Sequence, residues 1–333
     1  MYIIYYDSGT TNTRAYLLQN NRLIGKRQFS IGSKDTAGPD GRSFLLHRLY
    51  QLYQELLAEF ALTDEQISCI YMSGMISSPN GIVEVPHLPT PVNAVILKNS
   101  LVSFYEQSVF RRNILIIPGI KTIQPGQNVT FSNIELVNNM RGEEIELLGI
   151  VSSLKQDTPA PQAIILPGSH TQIAFMDQHS ICDILSTITG ELFYAITKDT
   201  LIGSSLDATQ GWELDKAMVQ EGYRCLRTYG FNRAVYLVRT MDLFLNSTPS
   251  QRISYMEGVL TGGVMDAIHH RLQAPGNRVL YLGITGDSVY YDIFDAITGR
   301  FFPDYMMIHL TPDDDIPYSV KGLMTLLQQS DMI

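Results

Sequence analysis

The sequence predicts an α/β protein made of two similar halves, and three observations carry that expectation. The chain opens on three consecutive β-prone runs, and a helical run with a further apolar strand completes a β-β-β-α-β order. The same grouping of strands around a glycine-hydroxyl turn then restarts after residue 119. Residues 1–119 are therefore expected to form an N-terminal domain and residues 120–333 a C-terminal one, with the last helix free to pack back on the first.

The elements follow in order. Ile3 to Tyr6 is an apolar run that ends at the carboxylate of Asp7, turns through Ser8-Gly9-Thr10-Thr11-Asn12, and returns through Ala15 to Leu18. Asn20-Asn21 is a tight turn, and residues 22–31 read as a third strand. A turn at 38–41 precedes a helix over 43–62, where Leu45, Leu46, Leu49, Leu56, Leu57 and Phe60 recur at helical spacing. Residues 67–72 form a short strand running into Ser73-Gly74-Met75. Four prolines between residues 79 and 91 argue for an ordered loop over a cleft. A helix over 94–111 and a strand over 113–117 close the first half.

In the second half a helix is expected from Glu143 through Val151, with strands over 163–166, 171–176 and 180–185. Helix follows near 191–196, along 224–246 and over 250–271; residues 278–282 form a late strand and 321–328 a final helix.

Composition narrows the class. The chain has 333 residues, 45% hydrophobic and 17% charged, enough for two packed domains. A net charge of −9 with no dense Lys/Arg stripe argues against a nucleic-acid partner. Cys69, Cys182 and Cys225 stand singly with no C-x-x-C spacing, so neither a disulfide framework nor a zinc site is indicated, and a reducing cytoplasm is the expected home. No apolar run reaches membrane-span length. A homodimer is compatible with the sequence, which does not set the oligomeric state.

Chemistry concentrates in a few places. In the first turn, Gly9 and the hydroxyls of Thr10 and Thr11, with Asn12, suit close approach to a phosphate, and Asp7 at the strand end suits the water shell of Mg²⁺. An ordinary polar hairpin turn has the same composition. Pro167-Gly168-Ser169-His170-Thr171 repeats the design, so the two turns could clamp a nucleotide's phosphates from two sides, with His170 either a phosphate donor or a surface residue. Glu143 and Glu144 follow Arg141-Gly142 at a helix start, where a carboxylate is either a dipole partner or a base for a hydroxyl nucleophile, while Arg141 suits an acid group. Gly283 and Gly286 are candidates for backbone contact with adenosine, or simply turn glycines. Ser77, Ser78, Asn80 and Glu84, with His87 nearby, make the proline-stiffened loop suitable for a hydroxyl-rich substrate, or a plain surface crossover.

Taken together these segments resemble the 2-dehydro-3-deoxygalactonokinases, within the superfamily of sugar kinases, heat-shock ATPases and actin. The resemblance rests on residues 7–14, on Gly74-Met75-Ile76-Ser77-Ser78 with Asn80-Gly81, and on Ile117-Pro118-Gly119. Met140-Arg141-Gly142-Glu143-Glu144, Leu166-Pro167-Gly168-Ser169-His170, Thr189-Gly190-Glu191-Leu192-Phe193 and Val238-Arg239 continue it. The chain departs from the family pattern at Ser8 and at Gln172-Ile173. The resemblance implies two ribonuclease-H-like domains with ATP and Mg²⁺ in an interdomain cleft, and phosphorylation of the 6-hydroxyl of a keto-deoxy sugar acid. It implies Glu143 as first choice for the base with Glu144 second, Asp7 as metal partner, and Arg14, Ser77, Ser78, Asn80, Glu84 and Arg141 at the substrate. A kinase for another sugar acid and a non-catalytic nucleotide- or sugar-binding relative are the alternatives.

Overall fold

Three antiparallel strands start the fold: β1 (Tyr2–Ser8), β2 (Thr13–Gln19) and β3 (Arg22–Phe29). The computed structural model of the chain describes residues 1–32, 40–207, 209, 211–272, 279–312 and 314–329. Residues 38, 39 and 278, parts of the expected turn and strand, lie outside them. β1 is buried on both faces, which explains its unbroken apolar run, whereas the edge strand β3 carries Arg22, Lys26 and Arg27. Helix α1 (Gly41–Glu59) lays Leu45, Leu49, Leu52 and Leu56 on this sheet, and β4 (Ile67–Gly74) runs parallel to β1.

After the two-residue strand β5 (Leu88–Pro89), helix α2 (Ala94–Asn99) is capped by the Asn93 side chain, which accepts from the N–H of Ile96 at 3.0 Å. The helix expected over 94–111 ends there. Residues Val102 to Glu106 form β6, antiparallel to β7 (Arg112–Ile116), because Val102 and Phe104 favour strand pairing. The Glu106 carboxylate fixes the connecting turn by accepting the N–H groups of Ser108, Val109 and Phe110.

Next come β8 (Ile120–Lys121), β9 (Asn139–Met140) and α3 (Glu143–Ser153), then β10 (Ala163–Leu166), β11 (His170–Asp177) and β12 (Ser180–Ile188). Four helices follow: α4 (Gly190–Asp199), α5 (Lys216–Tyr229), α6 (Phe231–Phe244) and α7 (Pro249–Leu272). The chain closes with β13 (Leu280–Ile284), α8 (Ser288–Phe301), β14 (Tyr305–His309) and α9 (Tyr318–Gln328).

The six-stranded sheet has the order β3-β2-β1-β4-β7-β6 and the five-stranded sheet β12-β11-β10-β13-β14. In each, an antiparallel hairpin ends in a strand that starts a parallel run, β1-β4-β7 and β10-β13-β14. This repeated order is the ribonuclease-H-like arrangement of actin-like ATPases and sugar kinases. A small sheet, β5-β8-β9, lies apart from both.

Two compact units divide the chain: Met1–Thr158 with Asp177–Ile184 and Pro312–Ile333, and Pro159–Met176 with Leu185–Thr311. The first therefore holds residues 120–158 as well as the segment before the restart at 119, because α3 packs on α9 within it. Gly149 and Gly322 make that packing: a Cβ on Gly149 would run into the Tyr318 carbonyl oxygen, and one on Gly322 into that of Ile145. Gly149→Ala is expected to cost roughly 1–3 kcal/mol through overpacking, against a gain of only about 1 kcal/mol in helix propensity. Urea unfolding measures the balance, and a stabilised variant would show that the helices separate freely.

The second unit packs Ile165, Ile173, Leu282 and Ile284 against Val219, Met265, Ile293 and Ile297. A further core joins α4, α6 and α7 around Ile196, Val238 and Met256. Among the described residues no helix is long and apolar enough to cross a membrane. Cys69, Cys182 and Cys225 are free thiols.

Candidate active site

In the first unit the end of β1, the end of β4 and the start of α3 meet through glycines. Gly74 has φ +81° and lies so close to the Ser8 carbonyl that a Cβ could not fit. Gly142 has φ +115°, and a Cβ on it would stand 3.2 Å from the Gly74 Cα. These contacts bring the N-terminus of α3 to the strand end that carries Asp7.

Asp7 is half-buried, with Oδ2 accepting from the Ser319 hydroxyl at 3.2 Å and lying 3.7 Å from Arg14 Nη1. Burial pushes its carboxyl up, and Arg14 and the Ser319 hydroxyl oppose the shift. Beyond it the turn closes with the Gly9 N–H donating to the Asn12 carbonyl at 2.8 Å, and Gly9, Thr10, Thr11 and Asn12 are exposed. Ser8 has a different part: its buried hydroxyl shares a hydrogen bond with Thr13 at 2.9 Å, and Thr13 donates to Ile31. Ser8 thus fastens the base of the turn.

Helix α3 presents three carboxylates in different surroundings. Glu143 is half-buried, and its Oε2 accepts the Arg141 N–H at 3.1 Å. Glu144 is fully buried; Oε2 accepts the Gly142 N–H at 2.7 Å, whereas Oε1 has no hydrogen-bond partner among the described residues. Burial, reinforced by the Glu143 charge, pushes the Glu144 carboxyl up to about 8. Glu146, one helical turn beyond Glu143, is pushed up to about 8 by burial and by the charges of Asp7 and Glu143, against the pull of Arg14. Glu146 was legible as an acid three residues after Glu143 in an otherwise apolar helix, but its approach to Asp7 depends on the sheet.

Arg141 precedes this helix, and its guanidinium is held on several sides. Nη1 donates to Ser77 Oγ at 2.5 Å, and Nη2 donates to the Val85 carbonyl at 3.0 Å and lies 3.2 Å from His87 Nδ1. Ser77 also donates to the Gly74 carbonyl, so the loop after β4 is tied to the loop before α3. Ser78 is buried and its hydroxyl donates to Met75, which makes it part of a turn. Asn80 and Glu84 are exposed on the same loop, and the Glu84 charge favours the Arg141 cation.

In the second unit, Pro167, Gly168 and Thr171 meet the start of α4. The Thr171 and Thr189 hydroxyls share a hydrogen bond at 2.7 Å, and the Glu191 N–H donates to the Ser169 carbonyl at 3.0 Å. Gly168 and Ser169 are exposed, while exposed His170 pairs with Glu191 at 3.1 Å. A cavity of about 490 Å³ opens beside this turn, lined by Gly168, Gly190, Phe193, Trp212, Thr261 and Tyr290, with Glu257 and Asp287 among its acidic groups. Burial pushes the Glu257 carboxyl up to about 7. Gly283 stands elsewhere: it is buried in β13, paired with Ile164 and Ile308, and its side-chain space is filled by Leu310. Gly286, with φ +91°, turns the chain just before Asp287.

Among the described residues no group of three or more His, Cys, Asp or Glu side chains could hold a metal. Asp7 nonetheless fits Mg²⁺, a hard cation that keeps several waters and takes one or two carboxylates together with substrate phosphates.

Comparison with known proteins identifies the family. The family model for 2-keto-3-deoxy-galactonokinase matches residues 7–291. The 2-dehydro-3-deoxygalactonokinase of Escherichia coli strain K12 is 25% identical over 293 residues, 87% of this chain and 88% of that one. A solved structure from Sinorhizobium meliloti, described as a candidate 2-dehydro-3-deoxygalactonokinase, superposes with a TM-score of 0.72 at 17% identity, over 98% of this chain and 97% of the other. Component A of (R)-2-hydroxyglutaryl-CoA dehydratase from Acidaminococcus fermentans shares the fold at a TM-score of 0.50 and 10% identity, over 98% and 96% of the two chains. The extent of the family match, from residue 7 to residue 291, shows that the chain belongs to the 2-keto-3-deoxy-galactonokinase family and is a sugar kinase.

Proposed function

We propose that this kinase transfers the γ-phosphoryl group of ATP to the 6-hydroxyl of 2-dehydro-3-deoxy-D-galactonate. The observation that carries the reading is the start of α3, where half-buried Glu143 follows a fixed Arg141 and the Gly142–Gly74 contact brings both to the Asp7 strand end. Arg141 takes the substrate carboxylate, since a guanidinium with spare donors pairs with a planar acid. Arg14 and the Ser77, Asn80 and Glu84 loop complete the substrate side.

Glu143 accepts the proton of the attacking hydroxyl as its oxygen bonds to the γ-phosphorus. The bond from that phosphorus to the bridging oxygen breaks, and ADP leaves. Within the first unit, the exposed hydroxyls of Thr10 and Thr11 and the Asn12 amide suit phosphate oxygens; within the second, exposed Gly168, Ser169 and His170 present donors of the same kind. The cavity beside Gly168 takes the adenosine, its rings against Trp212 and Tyr290. Mg²⁺, when bound, neutralises charge on the β- and γ-phosphates, and Asp7 would hold its water shell.

A panel of keto-deoxy sugar acids with ATP and Mg²⁺, read by coupled ADP release, tests the reading. Turnover is expected with the galacto acid, weaker turnover with the gluco isomer, and loss of turnover in EDTA with recovery on added Mg²⁺. Preference for the gluco acid would refute the substrate assignment, and turnover unaffected by EDTA would refute the metal.

A further inference from the structure

The small β5-β8-β9 sheet stands outside the repeated ribonuclease-H order, and polar residues lie on its strands and at their ends. His87 immediately precedes β5, Lys121 lies on β8, and Asn139 and Met140 of β9 lead directly to Arg141. Gly119 makes room for two of them: a Cβ there would stand 2.9 Å from His87 Cδ2 and 3.2 Å from Arg141 Cβ.

We propose that His87 is a positioning residue for substrate recognition, fixing the Arg141 guanidinium so that its free edge faces the carboxylate of the sugar acid. The proposal rests on the reading that Arg141 binds that carboxylate. Arginine has no acceptor, so the 3.2 Å approach of Nη2 to His87 Nδ1 is a hydrogen bond only if Nδ1 is unprotonated. The imidazole proton then sits on Nε2, and because the Asn139 atom 3.4 Å away is the amide nitrogen, itself a donor, that contact becomes a hydrogen bond only when the Asn139 amide turns to present its oxygen. With the Val85 carbonyl and Ser77 hydroxyl, His87 restrains a long side chain that would otherwise lose orientational entropy on binding.

The surroundings favour this protonation state. Burial, Arg141 and Lys121 push the imidazole down to about 4, so it stays an acceptor across the working pH range. Glu84 faces Arg141 as a charge, and Glu144, whose carboxyl is pushed up to about 8, adds its charge only above that pH.

The test compares His87→Ala and His87→Asn with the parent enzyme, using the keto-deoxy acid and its neutral carboxamide. Asparagine can place an acceptor oxygen near the position of Nδ1. His87→Ala is expected to raise KM for the acid roughly tenfold, the scale of one lost hydrogen bond to a charged group. KM for ATP, KM for the carboxamide and kcat are expected to stay within about threefold, and His87→Asn to recover most of the loss. Equal increases for acid and carboxamide, or no increase for the acid, would overturn the proposal. So would an Asn variant as impaired as the Ala variant while both melt at the parent temperature. Should either variant unfold, calorimetric binding of the acid to the other decides on the same criteria. Absence of turnover by the parent enzyme with every sugar acid would instead refute the functional reading beneath it.

Discussion

Glu143→Gln is expected to lower kcat by roughly two to four orders of magnitude while leaving the KM values for ATP and sugar acid within a few-fold. Glutamine keeps the size of the side chain and an oxygen for the Arg141 N–H, so the loop before α3 is retained and only proton acceptance is lost. In a loose phosphoryl-transfer transition state the nucleophile is deprotonated late, which places the effect toward the lower end of that range. Glu144→Gln is expected to retain most turnover, because Glu144 is fully enclosed and cannot reach a hydroxyl in solvent-accessible space. Steady-state kinetics on both variants by coupled ADP release settles the order. A large loss in Glu144→Gln with normal turnover in Glu143→Gln would reverse the roles.

Much of this was legible in the sequence where local chemistry and structure agree. The first hairpin, the helix from Glu143 and the turn at Pro167 to His170 could be read because a strand run, a glycine and hydroxyls are each local signals. The segment over 94–111 misled because Val102 to Glu106 becomes a strand only by pairing with β7, which a helical count does not register. Gly283 lies inside β13, where it makes space for Leu310, a placement that the Gly-Ile-Thr-Gly-Asp run did not show. Glu146 and His87 acquire their surroundings from β1 and from the small sheet, far away in the chain. Their spacing alone could not show what stands beside them.

The buried position of Glu144 leads to a stability prediction with a definite sign. Its carboxyl titrates at about 8 when folded, well above the ordinary value of 4.5. Between those pH values the folded chain holds a proton that the unfolded chain has released, so raising the pH across that window removes stability. A glutamine at 144 does not titrate, and its oxygen can still accept the Gly142 N–H. Its amide nitrogen replaces Oε1, which has no partner among the described residues, at a pH-independent cost of about 1–3 kcal/mol if the N–H groups stay unsatisfied. The informative quantity is therefore the change in the difference between variant and parent from pH 5 to pH 8, from which that constant cost cancels. The variant is expected to gain on the parent by an amount on the order of a few kcal/mol across the window. Glu146 contributes the same pH dependence to both proteins and also cancels. Urea unfolding at several pH values measures the trend. A gap that stayed constant would show Glu144 ionised in the folded state, and the reason for preferring Glu143 as the base would then rest on exposure alone.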